Sequence, residues 1–155
     1  MPINKSNLGF TLLELLVVIS IIGILAGLTM VSFTGAQKQA RDTQRQSDLK
    51  QYQNLLESFA SQRAGLYPSR NVSPVTLDSL CGTLGASGCP VDPSSPTYSY
   101  YYISNGSGSP ANNATQFVIW AYQENSSQYF VVCSIGKTGT MASAPTTTDG
   151  TCQLP

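Results

Sequence analysis

The chain has 155 residues and a mass of 16.5 kDa, one domain's worth of material, which excludes a multidomain machine. Eight basic and eight acidic residues cancel, only 10% of residues are charged and histidine is absent, so a strong field for a polyanion is excluded and so is imidazole chemistry, whether as general base or as metal ligand. The 41% hydrophobic content is uneven: it is concentrated near the amino end, and a remainder rich in Ser, Thr, Gly, Asn and Pro follows.

From Phe10 to Phe33 the chain reads FTLLELLVVISIIGILAGLTMVSF, with Glu14 as its one ionisable residue. At about 1.5 Å per helical residue this run is long enough to cross a hydrocarbon core of roughly 30 Å, and it predicts a transmembrane helix. It is too long for the apolar region of a secretory signal peptide, which is about 7 to 15 residues. A carboxylate inside a bilayer is costly, so Glu14 either snorkels to water near the membrane edge or meets a positive partner. The segment itself supplies no such partner. A cut just before Phe10 would create one, an α-amino group one helical turn away from Glu14 or belonging to a neighbouring copy. Gly23 and Gly27 form a G-x-x-x-G pair, the spacing that lets helices approach closely in lipid. Charge counting opposes an external head, since Lys5 and the initial amine precede the run and Lys38, Arg41 and Arg45 follow it.

The stretch Gly9-Phe10-Thr11-Leu12-Leu13-Glu14, preceded by a short polar leader and followed by an unbroken apolar run, resembles the amino terminus of type IV pilins and of the related pseudopilins of type II secretion and DNA-uptake systems. The resemblance covers roughly the first 60 residues. It implies cleavage after Gly9 by a prepilin peptidase, methylation of Phe10, and an assembly role for Glu14 against the terminal amine of Phe10 in another subunit. It also implies an inner-membrane precursor and then a filament on the cell surface, with other pilin copies, an assembly platform and an ATPase as partners. Many relatives carry a helix-kinking proline in this segment; here none occurs between Phe10 and Tyr67. The resemblance divides the chain into a leader over 1–9, a membrane or filament-core helix over 10–34 and a head over 35–155.

Gln37 to Gln62 has no proline or glycine, and Leu49, Tyr52, Leu55, Leu56, Phe59 and Ala60 fit helical steps of three and four. The spacing predicts one nearly continuous helix from Phe10 to about Gln62, ended by Gly65 and Pro68. Lys38, Arg41, Arg45, Asp42 and Asp48 read as a solvated face with intrahelical pairs such as Lys38 with Asp42; a DNA contact through Lys38, Arg41 and Arg45 is the weaker alternative. Within the head, Tyr67 to Thr97 is loop-like with a short apolar turn around Val75 to Leu84. Strands are predicted over Tyr98–Ser104, Thr115–Gln123 and Gln128–Ile135. The fold class is α+β, pilin-like: one long helix on a small antiparallel sheet of three or four strands. Tyr98, Tyr100, Tyr101, Tyr102, Trp120 and Tyr122 read as sheet core, with a ligand-stacking surface as the rival. The tail from Gly136 to Pro155 has little to bury and needs a tether.

Cys81, Cys89, Cys133 and Cys152 all follow the apolar run, an even count that suggests two disulfides in an oxidising compartment, with three connectivities open. Pairing Cys81 with Cys89 and Cys133 with Cys152 closes two local loops, the second similar to the disulfide-bounded carboxy-terminal loop of many pilins. A four-cysteine zinc site lacks any close C-x-x-C pair. No cofactor is expected; calcium, bound in a late loop of some major pseudopilins, would have only Asp92 and Asp149, which read better as turn residues beside Pro93 and Gly150. The expected function is a structural pilin subunit and no enzyme, since without histidine a Ser-His-Asp or Cys-His device cannot be built. A pseudopilin is the alternative, and a membrane-tethered enzyme or sugar-binding module the third.

Overall fold

The structure, a computed structural model, describes residues 9–70, 73–108, 111–145, 152 and 154, with the backbone alone at 28–32. The expected leader up to Leu8 and Asp149 of the tail lie outside the described residues. The chain divides into two compact units, Met1–Gln37 and Lys38–Pro155. Helix α1, Leu12–Ser61, contributes to both.

In the first unit Thr11 precedes α1, and its side chain and that of Glu14 cap the first turn reciprocally. The hydroxyl of Ser20, polar in an apolar run, donates to the carbonyl of Leu16 at 2.8 Å and so needs no outside partner. In the second unit the helix stops where the chain turns left-handed at Ala64 and Gly65, with φ of 55° and 81°. The Gly65 N–H donates back to the Ala60 carbonyl at 2.9 Å, which satisfies one of the last carbonyls of the helix.

The head carries a five-stranded antiparallel sheet in simple sequential order: β1 (Val75–Thr76), β2 (Tyr101–Ser104), β3 (Phe117–Gln123), β4 (Gln128–Cys133) and β5 (Thr138–Met141). One face packs on the helix. Leu49, Tyr52, Leu56 and Ala60 meet Tyr102, Phe117, Ile119, Ala121 and Val132 in the main core, and Leu77 and Leu80 of a short 3-10 turn, Leu77–Leu80, close its side. The period-2 alternation of β3 sends Val118 and Trp120 to the opposite face, yet these are buried too. Met141, Ala144, Cys152 and Leu154 of the tail pack there with Ile103, Val131 and Cys133.

The sheet has one strand more than the three or four expected, and two strands, β1 and β5, lie outside the three predicted segments, in stretches too short or too polar to show a pattern. β5 lies in the Thr- and Gly-rich tail, recruited by pairing Thr138–Met141 with Tyr129–Val132. The three anticipated strands are present but shorter. β3 starts at Phe117 and not at Thr115 because the Asn105 side chain accepts from the N–H groups of Thr115 and Gln116, at 2.8 and 3.0 Å, in place of a ladder partner. β4 ends at Cys133 because a turn through Gly136, with φ of 82°, reverses the chain. Disulfides join Cys81 to Cys89 and Cys133 to Cys152, with Cα–Cα distances of 5.9 and 5.7 Å, and no cysteine is free, which removes the zinc alternative.

Candidate assembly site

At the start of α1 the Glu14 Oε2 accepts from the Thr11 N–H and from the Thr11 hydroxyl, both at 2.9 Å, while the Glu14 N–H donates to Thr11 Oγ1 at 3.2 Å. Both donors fall on one carboxylate oxygen. Oε1 has no partner among the described residues. Phe10, immediately before the cap, is 85% exposed. Every large apolar residue described from Leu12 to Leu25 is exposed as well. Added Cβ atoms at Gly23 and Gly27 would meet nothing within 4 Å among the described residues, so the close approach that their spacing offers is unused there. Among the described residues no helix is long and apolar enough to cross a membrane. The described side chains of the run stop at Gly27 and resume at Phe33, so the crossing expected over 10–34 rests on the sequence.

A second polar constellation, in the head, departs from the sequence reading. Arg45 is fully buried. Its Nε and Nη2 grip Asp92 at 2.7 and 3.0 Å, Nη1 reaches Asp42 at 2.9 Å, and Nη2 also reaches Glu124 Oε1 at 2.7 Å. Arg41, about a third exposed, adds a two-pronged bond to Glu124 at 2.9 and 2.5 Å. Asp42 in turn accepts from the N–H groups of Glu124 and Asn125, each at 2.8 Å, and so holds the turn between β3 and β4 from the helix. The bond from Arg41, helped by Arg45, pulls the Glu124 carboxyl down to about 2. Burial pushes the Arg45 guanidinium towards neutrality, but its bonds to Asp92 and Glu124 outweigh that and raise it. Nearby, burial raises the Asp48 carboxyl although the Tyr100 hydroxyl donates to it at 2.6 Å.

The solvated face expected of Lys38, Arg41, Asp42, Arg45 and Asp48 is therefore corrected: Asp42, Arg45 and Asp48 are buried, and Asp42 pairs with Arg45 and not with Lys38. The DNA reading loses its basis, because Arg45 is inaccessible and Arg41 is neutralised by Glu124. A signal for this was present. Asp42, Arg45, Leu49, Tyr52 and Leu56 follow one another in steps of three and four, so the charged pair sits on the same stripe as the core residues. Asp92 does form the expected turn, accepting from the Ser94 N–H at 2.8 Å, but Arg45 takes the rest of its carboxylate. No group of three or more metal-ligating side chains occurs among the described residues, so nothing there supports calcium. Of the six aromatics, Tyr100 and Tyr102 join the main core, while Tyr101 stacks on Trp120 and Tyr98 on Tyr122.

Residues 4–30 match the family model described as the prokaryotic N-terminal methylation motif, so the amino-terminal segment carries the motif of prokaryotic prepilins. The chain is 37% identical over 60 residues to the type IV major pilin protein PilA of Myxococcus xanthus (strain DK1622), a match that spans 39% of this chain and 27% of that protein. No solved structure matches.

Proposed function

We propose that the chain is a prepilin: cleaved between Gly9 and Phe10, methylated at Phe10, and polymerised through its amino-terminal helix into a type IV pilus-like filament, as a structural subunit and not as an enzyme. The observation that carries this reading is the unbroken exposure of apolar side chains from Phe10 to Leu25 on a helix that opens with a carboxylate. Monomeric soluble proteins rarely expose a contiguous apolar surface of this kind, and larger patches mark membrane or protein contacts. In the membrane that surface faces lipid; in a filament it faces equivalent helices, packed closely at Gly23 and Gly27. Glu14 keeps Oε2 on its own Thr11 and offers Oε1 to the terminal amine of a neighbouring copy. The likeness to a type IV major pilin supports a pilus over a secretion or competence pseudopilus. Before assembly the precursor sits in the inner membrane and the filament emerges at the cell surface, where an assembly platform and its ATPase supply the work.

Intact-mass measurement of the membrane or fibre form tests the proposal. The expected mass lacks residues 1–9 and carries one added methyl group on Phe10; an unprocessed Met1 terminus in the functional form overturns it. Abundant surface fibres composed mainly of this chain are the result that separates a pilus from a pseudopilus.

A further inference from the structure

On the face of the sheet turned away from the helix, Pro74, Tyr101, Trp120, Tyr129, Ala144 and Pro145 line an open groove of about 290 Å³, near the lower end, roughly 300 Å³, of small-molecule sites. Tyr101 of β2 and Trp120 of β3 are a cross-strand pair, their rings stacked with centroids 5.7 Å apart and planes within 20°. Tyr129 of β4 completes the floor. Tyr101 is 37% exposed, so an aromatic surface is presented to solvent at the centre of a sheet. Trp120 is only 3% exposed, yet its indole N–H takes no hydrogen bond among the described residues and is not sealed from solvent. The hydroxyls of Tyr101 and Tyr129 are likewise without protein partners among the described residues. A buried tryptophan ordinarily finds a partner for its N–H.

We propose that this groove binds an uncharged pyranose, free or at the end of a glycan. Three observations select that chemistry. Stacked aromatic faces carry partial negative charge, which suits the C–H-rich face of a sugar ring. The unpartnered N–H and hydroxyls exclude a purely apolar occupant, because covering them without acceptors costs about 1–3 kcal/mol per group; the hydroxyls around a pyranose supply those acceptors. None of the six lining residues bears a formal charge, so a nucleotide or a sugar acid would be desolvated without a counter-ion. This site is independent of polymerisation: it belongs to the head, and its failure would leave the filament reading untouched.

The chain has one tryptophan, so its emission reports on this groove alone. The test titrates the processed full-length chain, in a phosphocholine detergent free of sugar, with methyl glycosides of galactose, glucose and mannose, with N-acetylglucosamine, with glucuronate and with an oligoproline peptide. Saturation-transfer NMR runs alongside. The expected result is a saturable change with at least one neutral sugar, weakened about tenfold in Tyr101→Ala through loss of the stacking face. Tyr101→Phe, which keeps that face and folds conservatively, retains binding. Trp120→Phe, followed by NMR, loses binding through the missing N–H. No response to any neutral sugar, a stronger response to glucuronate or the oligoproline, or unchanged sugar binding in Tyr101→Ala each overturns the proposal.

Discussion

Two stretches of one helix use the same residue types in opposite ways. Between Leu12 and Leu25 the leucines, isoleucines and valines are all exposed. Between Leu49 and Ala60 the stripe Leu49, Tyr52, Leu56 and Ala60 is buried beneath a sheet. The second stretch has its partner, the sheet, in the same compact unit; the first has no such cover among the described residues, and its apolar surface all round the helix suits a surrounding of lipid or of like helices. Helix formation is thus a local matter and burial is not.

That contrast can be tested by damaging each stretch separately. The largest effect is expected from Glu14→Ala, which should reduce filament yield to near background while leaving membrane insertion and the denaturant midpoint of the head unchanged. Fibre counts by electron microscopy beside a urea titration check both halves, and normal fibres would remove the role given to the carboxylate. In the head, Arg45→Ala should lower stability by about 3–5 kcal/mol, because it leaves Asp42 and Asp92 buried without their cation, while Glu124 keeps only Arg41. Arg41→Ala should cost far less, since water replaces its partly exposed guanidinium; equal losses from the two would show that burial is not what distinguishes them.

Breaking the Cys133–Cys152 bridge with Cys133→Ser should cost about 2–4 kcal/mol and free the tail from the outer sheet face. Proteolysis at the tail and the shift in urea midpoint measure it. The smallest expected effect is on acidification. Glu124 is held at about 2 against an ordinary 4.5 by Arg41 and then Arg45, so its contribution is complete above about pH 4.5 and is lost as pH falls through about 2. Asp48 acts with the opposite sign: burial raises its carboxyl, so its protonation on acidification is favoured in the folded head. Urea midpoints between pH 7 and 2 should therefore fall most below pH 4.5, and Glu124→Gln should flatten that fall. A profile unchanged by the substitution would place the acid sensitivity elsewhere.

Much of the fold was legible because it rests on short-range rules. The lack of proline from Phe10 to Tyr67 and the glycine at position 65 marked the helix to within a residue or two. Runs rich in Tyr, Phe, Val and Ile, separated by Gly, Asn and Ser, marked three strands. β1, with two residues, and β5, in a Thr- and Gly-rich tail, carry no such signal, because each exists only through the strand beside it. In the first unit the Gly9–Glu14 motif was plain in the sequence, whereas Arg45 was read as solvated although its spacing from Leu49 and Tyr52 placed it on the buried stripe. The rule that charges stay in water outweighed a periodicity that was there to be seen.

The sequence alone determined what depends on neighbours along the chain: an amino-terminal apolar run with one carboxylate, a helix of known extent and an even set of cysteines. Tertiary structure decided what depends on residues far apart in sequence. It brought Asp92 and Glu124 to Arg45, recruited the tail as an edge strand, and left the Trp120 N–H without a partner among the described residues in an aromatic groove. The physical reason is that propensity and capping act over a few residues, while the desolvation of a charge or an indole is set by whatever the folded chain places against it.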